Sequence, residues 1–156
     1  MELTLTNNQD RHPIDSDSLL RAVSAVLADS SYSHGAVDLA VVDDAEMQQL
    51  NRRYLDHDWP TDVLSFPLET VGDRLEGQIV VSADTAAREA VECGWSMGEE
   101  LLLYAIHGSL HLLGYTDKDS TAAAEMYAAE ARYLAQLGVE PSRASRFAAE
   151  GGLTAS

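Results

Sequence analysis

The feature that most constrains this chain is the apolar run from Leu101 to Leu113, which carries two histidines, His107 and His111, four residues apart. On a helix, side chains at i and i+4 lie one above the other, so both imidazoles leave the same face. That geometry suits two rings gripping one metal ion. Gly114 follows, the residue type that ends a helix in a left-handed conformation and lets the chain turn back. The turn directs Asp117 toward the same point as a third ligand.

The spacing compares with the zinc signature H-E-x-x-H-x-x-G-x-x-H, in which three histidines bind the metal and the glutamate is the general base. His107, His111 and Gly114 occupy the first, second and glycine positions, Asp117 the third-ligand position, and Gly108 the glutamate position. A metal site fits this pattern, whereas peptide hydrolysis by that mechanism lacks its base. A bare H-x-x-x-H pair on an apolar helix is more often two buried or half-buried histidines bonded to backbone or carboxylates. The glycine and the acid at matching offsets favour metal, and an aspartate is a legitimate zinc ligand. Three protein ligands with an open fourth position describe a catalytic site better than a structural one.

The 156 residues, 46% of them hydrophobic, suffice for one domain with its own core. Neither a basic apolar leader at Met1-Glu2-Leu3 nor a bilayer-length apolar run is present, so a cytoplasmic protein without membrane partners is expected. The single cysteine, Cys93, rules out an intramolecular disulfide and a cysteine-based zinc site, and packing beside Gly94 near a helix end is its expected role. The formal net charge of −16 is unlike the basic surface usual for nucleic-acid binding. Contact with nucleic acid then requires a local cluster such as Arg52 and Arg53, the charge of a metal, or a partner.

In chain order, Glu2 to Thr6 alternates as a strand, and His12 is expected in a solvent-exposed loop. Residues Ser16 to Asp29 carry one helical apolar stripe, with Asp15, Ser16 or Asp17 available as cap. Val37 to Val42 is an apolar strand, and Asp43 with Glu46 opens a helix whose inward face is Met47, Leu50 and Tyr54. Polar Arg52, Arg53, Asp56, His57 and Asp58 lie on the other side or in the exit loop. The segment Thr61 to Pro67 is a strand lying at a sheet edge or ending there, entered through Trp59-Pro60; Gly72 to Gly77 is a turn, and Gln78 to Ser82 the hairpin partner. An edge strand beside a metal helix suits an extended substrate, with Thr61, Asp62, Ser65 and Phe66 as candidate contacts. A small-residue helix follows from Ala83 to Val91; Ser96 and Glu99 cap the histidine helix, and Ser120 or Thr121 caps a last helix closed by Gly138. These elements predict a single α+β domain over residues 1–140, a mixed sheet of about four strands with about five helices and a metzincin-like metal-binding helix. Residues 141–156 are expected to be a flexible tail.

Several stretches together resemble the YbeY family of bacterial ribosomal-RNA maturation factors. They are Leu50-Asn51 with Tyr54, Asp58 with Pro60 to Pro67, Gly77 with Ile79 to Ser82, and His107 to Tyr115. The resemblance implies a metal-dependent, single-strand-specific endoribonuclease acting in 16S rRNA 3′-end maturation and ribosome quality control, with one divalent ion of zinc type. It also implies a groove for single-stranded rRNA and association with the small ribosomal subunit, where the acidic surface would meet basic ribosomal proteins. Two positions depart from the family pattern. Asp117 stands where members have a third metal-binding histidine, and Leu55 stands where they have an arginine thought to meet the RNA phosphate. Arg52 lies one turn earlier and about 60° around the helix, so it is the candidate catalytic substitute. A surface arginine paired with Asp56 is the alternative. No residue is an obvious general base, and attack by the RNA 2′-hydroxyl or by water both stay open. The competing expectation is a non-catalytic ribosome-associated assembly factor whose metal is structural.

Overall fold

The computed structural model, which describes residues 1–55 and 62–140, runs β1 (Glu2–Asn7), α1 (Ser16–Ala28), β2 (His34–Val42), α2 (Asp44–Leu55), β3 (Val63–Val71), β4 (Arg74–Ser82), α3 (Ala83–Cys93), α4 (Met97–Leu112) and α5 (Ser120–Gln136). Among the described residues the strands form one mixed sheet in the order β1-β2-β4-β3. Strands β1, β2 and β4 are parallel, and β3 joins β4 antiparallel at the edge. The expected α+β architecture is what forms. His57, Trp59-Pro60, Thr61 and the expected tail lie outside the described residues.

Covering both faces of the sheet explains why β2 is a nearly continuous apolar run rather than an alternating one. Val37, Leu39 and Val41 join the main core under α1, α3, α4 and α5, while Ala40 and Val42 join Met47, Leu64 and Val80 in a smaller cluster beneath α2. Pro67 cannot donate to a ladder, and it sits on the edge strand where the register with β4 slips between Pro67 and Glu69. The bulge also makes this edge a poor template for further strands.

The hairpin is longer than its glycines suggested. Strand β3 runs to Val71 and β4 starts at Arg74, so the turn is Gly72-Asp73 alone, and Gly77 lies within β4, paired with Pro67. The physical reason is packing: a Cβ on Gly77 would lie 3.1 and 3.2 Å from the Leu112 methyls of α4. This glycine marks a close approach, which sequence alone does not distinguish from a turn.

Helix α4 is buried almost all round, touching α1, α3, α5, β3 and β4. Leu101, Leu103, Tyr104, Ile106 and Leu110 are all at most 1% exposed, each contributing about 1.5–3 kcal/mol by burial for a side chain of this size. The expected capping box starts it: the Glu99 N–H donates to Ser96 Oγ, and the Ser96 N–H donates to Glu99 Oε1. The Asp43 carboxylate caps α2 at the Glu46 N–H, and Asp15 caps α1. For α5 the cap is Asp119, accepting from the Ala122 N–H, rather than Ser120 or Thr121. A carboxylate one residue earlier is an equally good acceptor, and spacing alone does not separate the candidates. Cys93 closes α3 beside the left-handed Gly94, as expected.

Two further expectations change. Tyr54 does not face inward; it is 56% exposed, its ring edge-on to Phe66 at 5.3 Å with the Arg53 guanidinium above it. The small cluster is filled by Met47, Leu50, Phe66 and the sheet residues, which leaves the last turn of α2 outside it. His12 is not solvent-exposed: its Nε2 lies 3.0 Å from Asp84 Oδ1, while Asp84 Oδ2 accepts the Asp44 N–H. That carboxylate ties the loop after β1 to the starts of α2 and α3.

Gly108 lies where α4 packs closely on the sheet. A Cβ there would lie 2.5 Å from Ile79 Cγ2 and 3.2 Å from both Ser65 Oγ and Val63 Cγ2. Gly108→Ala is therefore expected to destabilise the fold by about 1–3 kcal/mol through overpacking, measured by chemical denaturation. An unchanged denaturation midpoint would show that the helix shifts freely on the sheet.

Candidate functional site

The histidine pair is built by burial on one side and by a helix stop on the other. His107, 3% exposed, points from α4 toward α5, where its Nδ1 lies 2.9 Å from Oε1 of Glu130, itself 6% exposed. Its Nε2 is buried and has no hydrogen-bond partner among the described residues. A buried ring nitrogen with no partner is costly unless something else satisfies it. His111, one turn on, stands with its ring centroid 4.7 Å from that of His107. Burial first, and the neighbouring His107 second, push the His111 imidazole down to about 4, with the Asp117 carboxylate opposing them. At neutral pH His111 is uncharged, with a lone pair available to a metal.

Beyond His111 the helix ends in a Schellman turn. The Gly114 N–H donates to His111 O and the Tyr115 N–H to Leu110 O, with Gly114 at φ 99°. The chain thus turns as the glycine implied and brings Asp117 within electrostatic reach of His111. Asp117 itself is exposed, and among the described residues no three His, Cys, Asp or Glu side chains form a cluster able to hold an ion. The donor chemistry at the centre nonetheless fits a divalent metal: two imidazoles on one face, one with an unsatisfied buried nitrogen and a carboxylate on its other nitrogen.

Glu130 was not found from sequence. A signal existed: the buried stripe of α5 is Met126, Ala129, Glu130, Tyr133 and Leu134, so an acid occupies a core position of an amphipathic helix. Such an acid needs a partner elsewhere in the fold.

The remaining candidates surround the edge strand. Ser65 is buried, and its hydroxyl donates to the Gly108 carbonyl at 2.9 Å, so it stands in the seam between β3 and α4. Phe66 faces the other side of the sheet, against Tyr54, and Thr61 lies outside the described residues. Arg52 is in the last turn of α2. Asp62, just before β3, is half-buried, and its carboxyl is pushed up to about 7 by burial, then by Glu89 and Glu100. Glu100, on α4 two turns before His107, is fully buried beside Tyr104, whose phenol is pushed up strongly by burial and then by Asp62 and Glu100. An acidic group thus lies in the core alongside the histidine helix.

Comparison with known proteins places this geometry. The family model described as Endoribonuclease YbeY matches residues 4–138. The curated Endoribonuclease YbeY of Moorella thermoacetica is 39% identical over 155 residues, covering 89% of this chain and 99% of that protein. The protein of the same name from Syntrophotalea carbinolica is 38% identical, with 87% and 95% covered. Among solved structures, the solution structure of TM1509 from Thermotoga maritima aligns with a TM-score of 0.59 at 27% identity, covering 86% of this chain and 88% of that one. The matched residues take in the histidine helix and all or part of every strand, and the family is named for endoribonuclease activity. The chain belongs to the YbeY family.

The raised Asp62 carboxyl has a consequence for stability. In the unfolded chain it titrates near the usual value of about 3.9, so between about 4 and 7 the folded state holds the extra proton. Stability contributed by Asp62 is therefore present at low pH and lost as pH rises through about 7. Asp62→Asn is expected to flatten the decline in unfolding free energy over that interval and to gain most, relative to the parent, near pH 8. Parallel pH–stability curves for the two proteins would show that Asp62 is ionised throughout.

Proposed function

We propose that this protein is a metal-dependent endoribonuclease acting on single-stranded ribosomal RNA, working in the cytoplasm in 16S rRNA 3′-end maturation and ribosome quality control. The observation that carries the metal reading is the buried Nε2 of His107, without a hydrogen-bond partner among the described residues and beside the neutral His111. Family membership supports the RNA substrate. His107 and His111 would hold one divalent ion, zinc by the chemistry of the donors, with Asp117 as the third ligand from the loop after Gly114. Such an ion supplies Lewis acidity where negative charge develops on a phosphate.

The protein's own residues supply position and exclusion. The Ser65 hydroxyl bonded to the Gly108 carbonyl holds the edge strand against the histidine helix, which fixes the distance between substrate strand and ligands. A side chain at 108 would point into Ile79, Val63 and Ser65 rather than toward the histidines, so the general base of the zinc-peptidase signature has no room here. Peptide hydrolysis by that route is thereby disfavoured on packing as well as on composition. Asp62, just before the edge strand, and Phe66, within it on the face away from α4, are candidate RNA contacts, with Thr61 beside Asp62 in sequence, and Arg52 is the candidate phosphate contact in place of the family arginine at Leu55. Association with the small ribosomal subunit would place the acidic surface, net charge −16, against basic ribosomal proteins.

Purified protein is expected to cleave single-stranded RNA, to stop in the presence of chelator, and to lose both metal and cleavage in His107→Ala. Full metal content without any cleavage would favour the assembly-factor reading with a structural ion. Arg52→Ala is expected to weaken RNA binding and to lower the logarithmic salt slope by about 0.7, the contribution of one phosphate on a single strand. The same slope in both proteins would leave Arg52 out of the interface.

A further inference from the structure

We propose that Glu130 is the positioning residue of the histidine pair: its bond to Nδ1 holds His107 in the tautomer that turns the Nε2 lone pair toward a divalent ion. The inference rests on the metal reading above and adds a group, from a different helix, that the ligand spacing does not contain. A neutral imidazole carries its proton on one nitrogen only, and the other nitrogen ligates. Glu130 Oε1 lies 2.9 Å from Nδ1, and as a carboxylate it accepts, an arrangement that calls for the proton on Nδ1. That tautomer leaves Nε2 as an acceptor, and it is buried and without a hydrogen-bond partner among the described residues.

The placement of Glu130 argues for a specific role over a general one. It lies on the core stripe of α5, between Met126 and Ala129 on one side and Tyr133 and Leu134 on the other, with its side chain 6% exposed. Burying a carboxylate there is costly without a partner, and its bond to the His107 ring meets that need. The same bond restrains the ring's rotation about its side-chain torsions, so α5 sets the direction in which the α4 histidine points. Partner groups of this kind typically change metal affinity by 10–100-fold when removed.

Glu130→Gln keeps an acceptor for Nδ1–H while removing the charge, and Glu130→Ala removes both. The tautomer of His107 is read in metal-free protein by long-range nitrogen–proton NMR, and zinc affinity by competition with a chromophoric chelator. Wild type is expected to show the Nδ1–H form alone. Glu130→Ala should show a mixture or the other tautomer, with zinc bound at least 10-fold more weakly, and Glu130→Gln should restore the tautomer and most of the affinity. Should Glu130→Ala not fold, Glu130→Gln and Glu130→Met carry the comparison: Gln retaining the tautomer and affinity that Met loses supports the role. Wild-type tautomer and zinc affinity in a folded Glu130→Ala or Glu130→Met overturn it. A His107→Ala control separates the two levels: if it binds zinc as tightly as wild type, the metal reading itself fails; if it loses zinc while the Glu130 variants do not, only the positioning role fails.

Discussion

The close contact of α4 with the sheet at Gly108 is the constraint on which the rest of the structure depends. With no Cβ in the way, the helix settles against Ile79, Val63 and Ser65, and the Ser65 hydroxyl reaches the Gly108 carbonyl. Gly77 does the same on the strand side, admitting Leu112 a turn later. Two glycines, one on each partner, thus leave room where the helix packs along β4 and the edge strand β3. The histidines one position before and three positions after Gly108 inherit their direction from that seating.

Seating on the sheet turns His107 away from it and toward α5, where Glu130 waits at a core position. The polar groups of the candidate site come from three different sources: α4 for the rings, α5 for the carboxylate bonded to one of them, and the loop after Gly114 for Asp117, the proposed third ligand. The Schellman turn connects the last of these to the first, since the carbonyls of Leu110 and His111 accept from the residues that start the loop. A change in the packing of α4 would be transmitted to all three.

Much of this was legible from residues alone because it depends on local spacing. Histidines at i and i+4 share a face whatever surrounds them, Ser96 with Glu99 makes a capping box by geometry internal to one turn, and Gly114 supplies a left-handed stop by lacking a side chain. Pro67, which cannot donate to a ladder, was compatible with an edge strand or with a strand end; β3 is at the edge and runs on to Val71. Tyr54 and His12 were misplaced for the complementary reason. Whether a helix residue faces inward depends on how far the opposing sheet extends, and whether a loop histidine is exposed depends on what lies across from it, here Asp84.

The sequence by itself determined the order and type of the elements, the family, and the shared face of the two histidines, since each is carried by periodicity or by motifs within a few neighbouring residues. Only the tertiary structure decided that Gly77 is a packing site within a strand, that position 108 has no room for an acid, and that a glutamate 23 residues beyond His107 is its partner. Those facts depend on distances between elements remote along the chain, which are set by how the core closes. A buried carboxylate and a buried imidazole are each unfavourable alone, and it is the packing of α5 on α4 that makes them a pair.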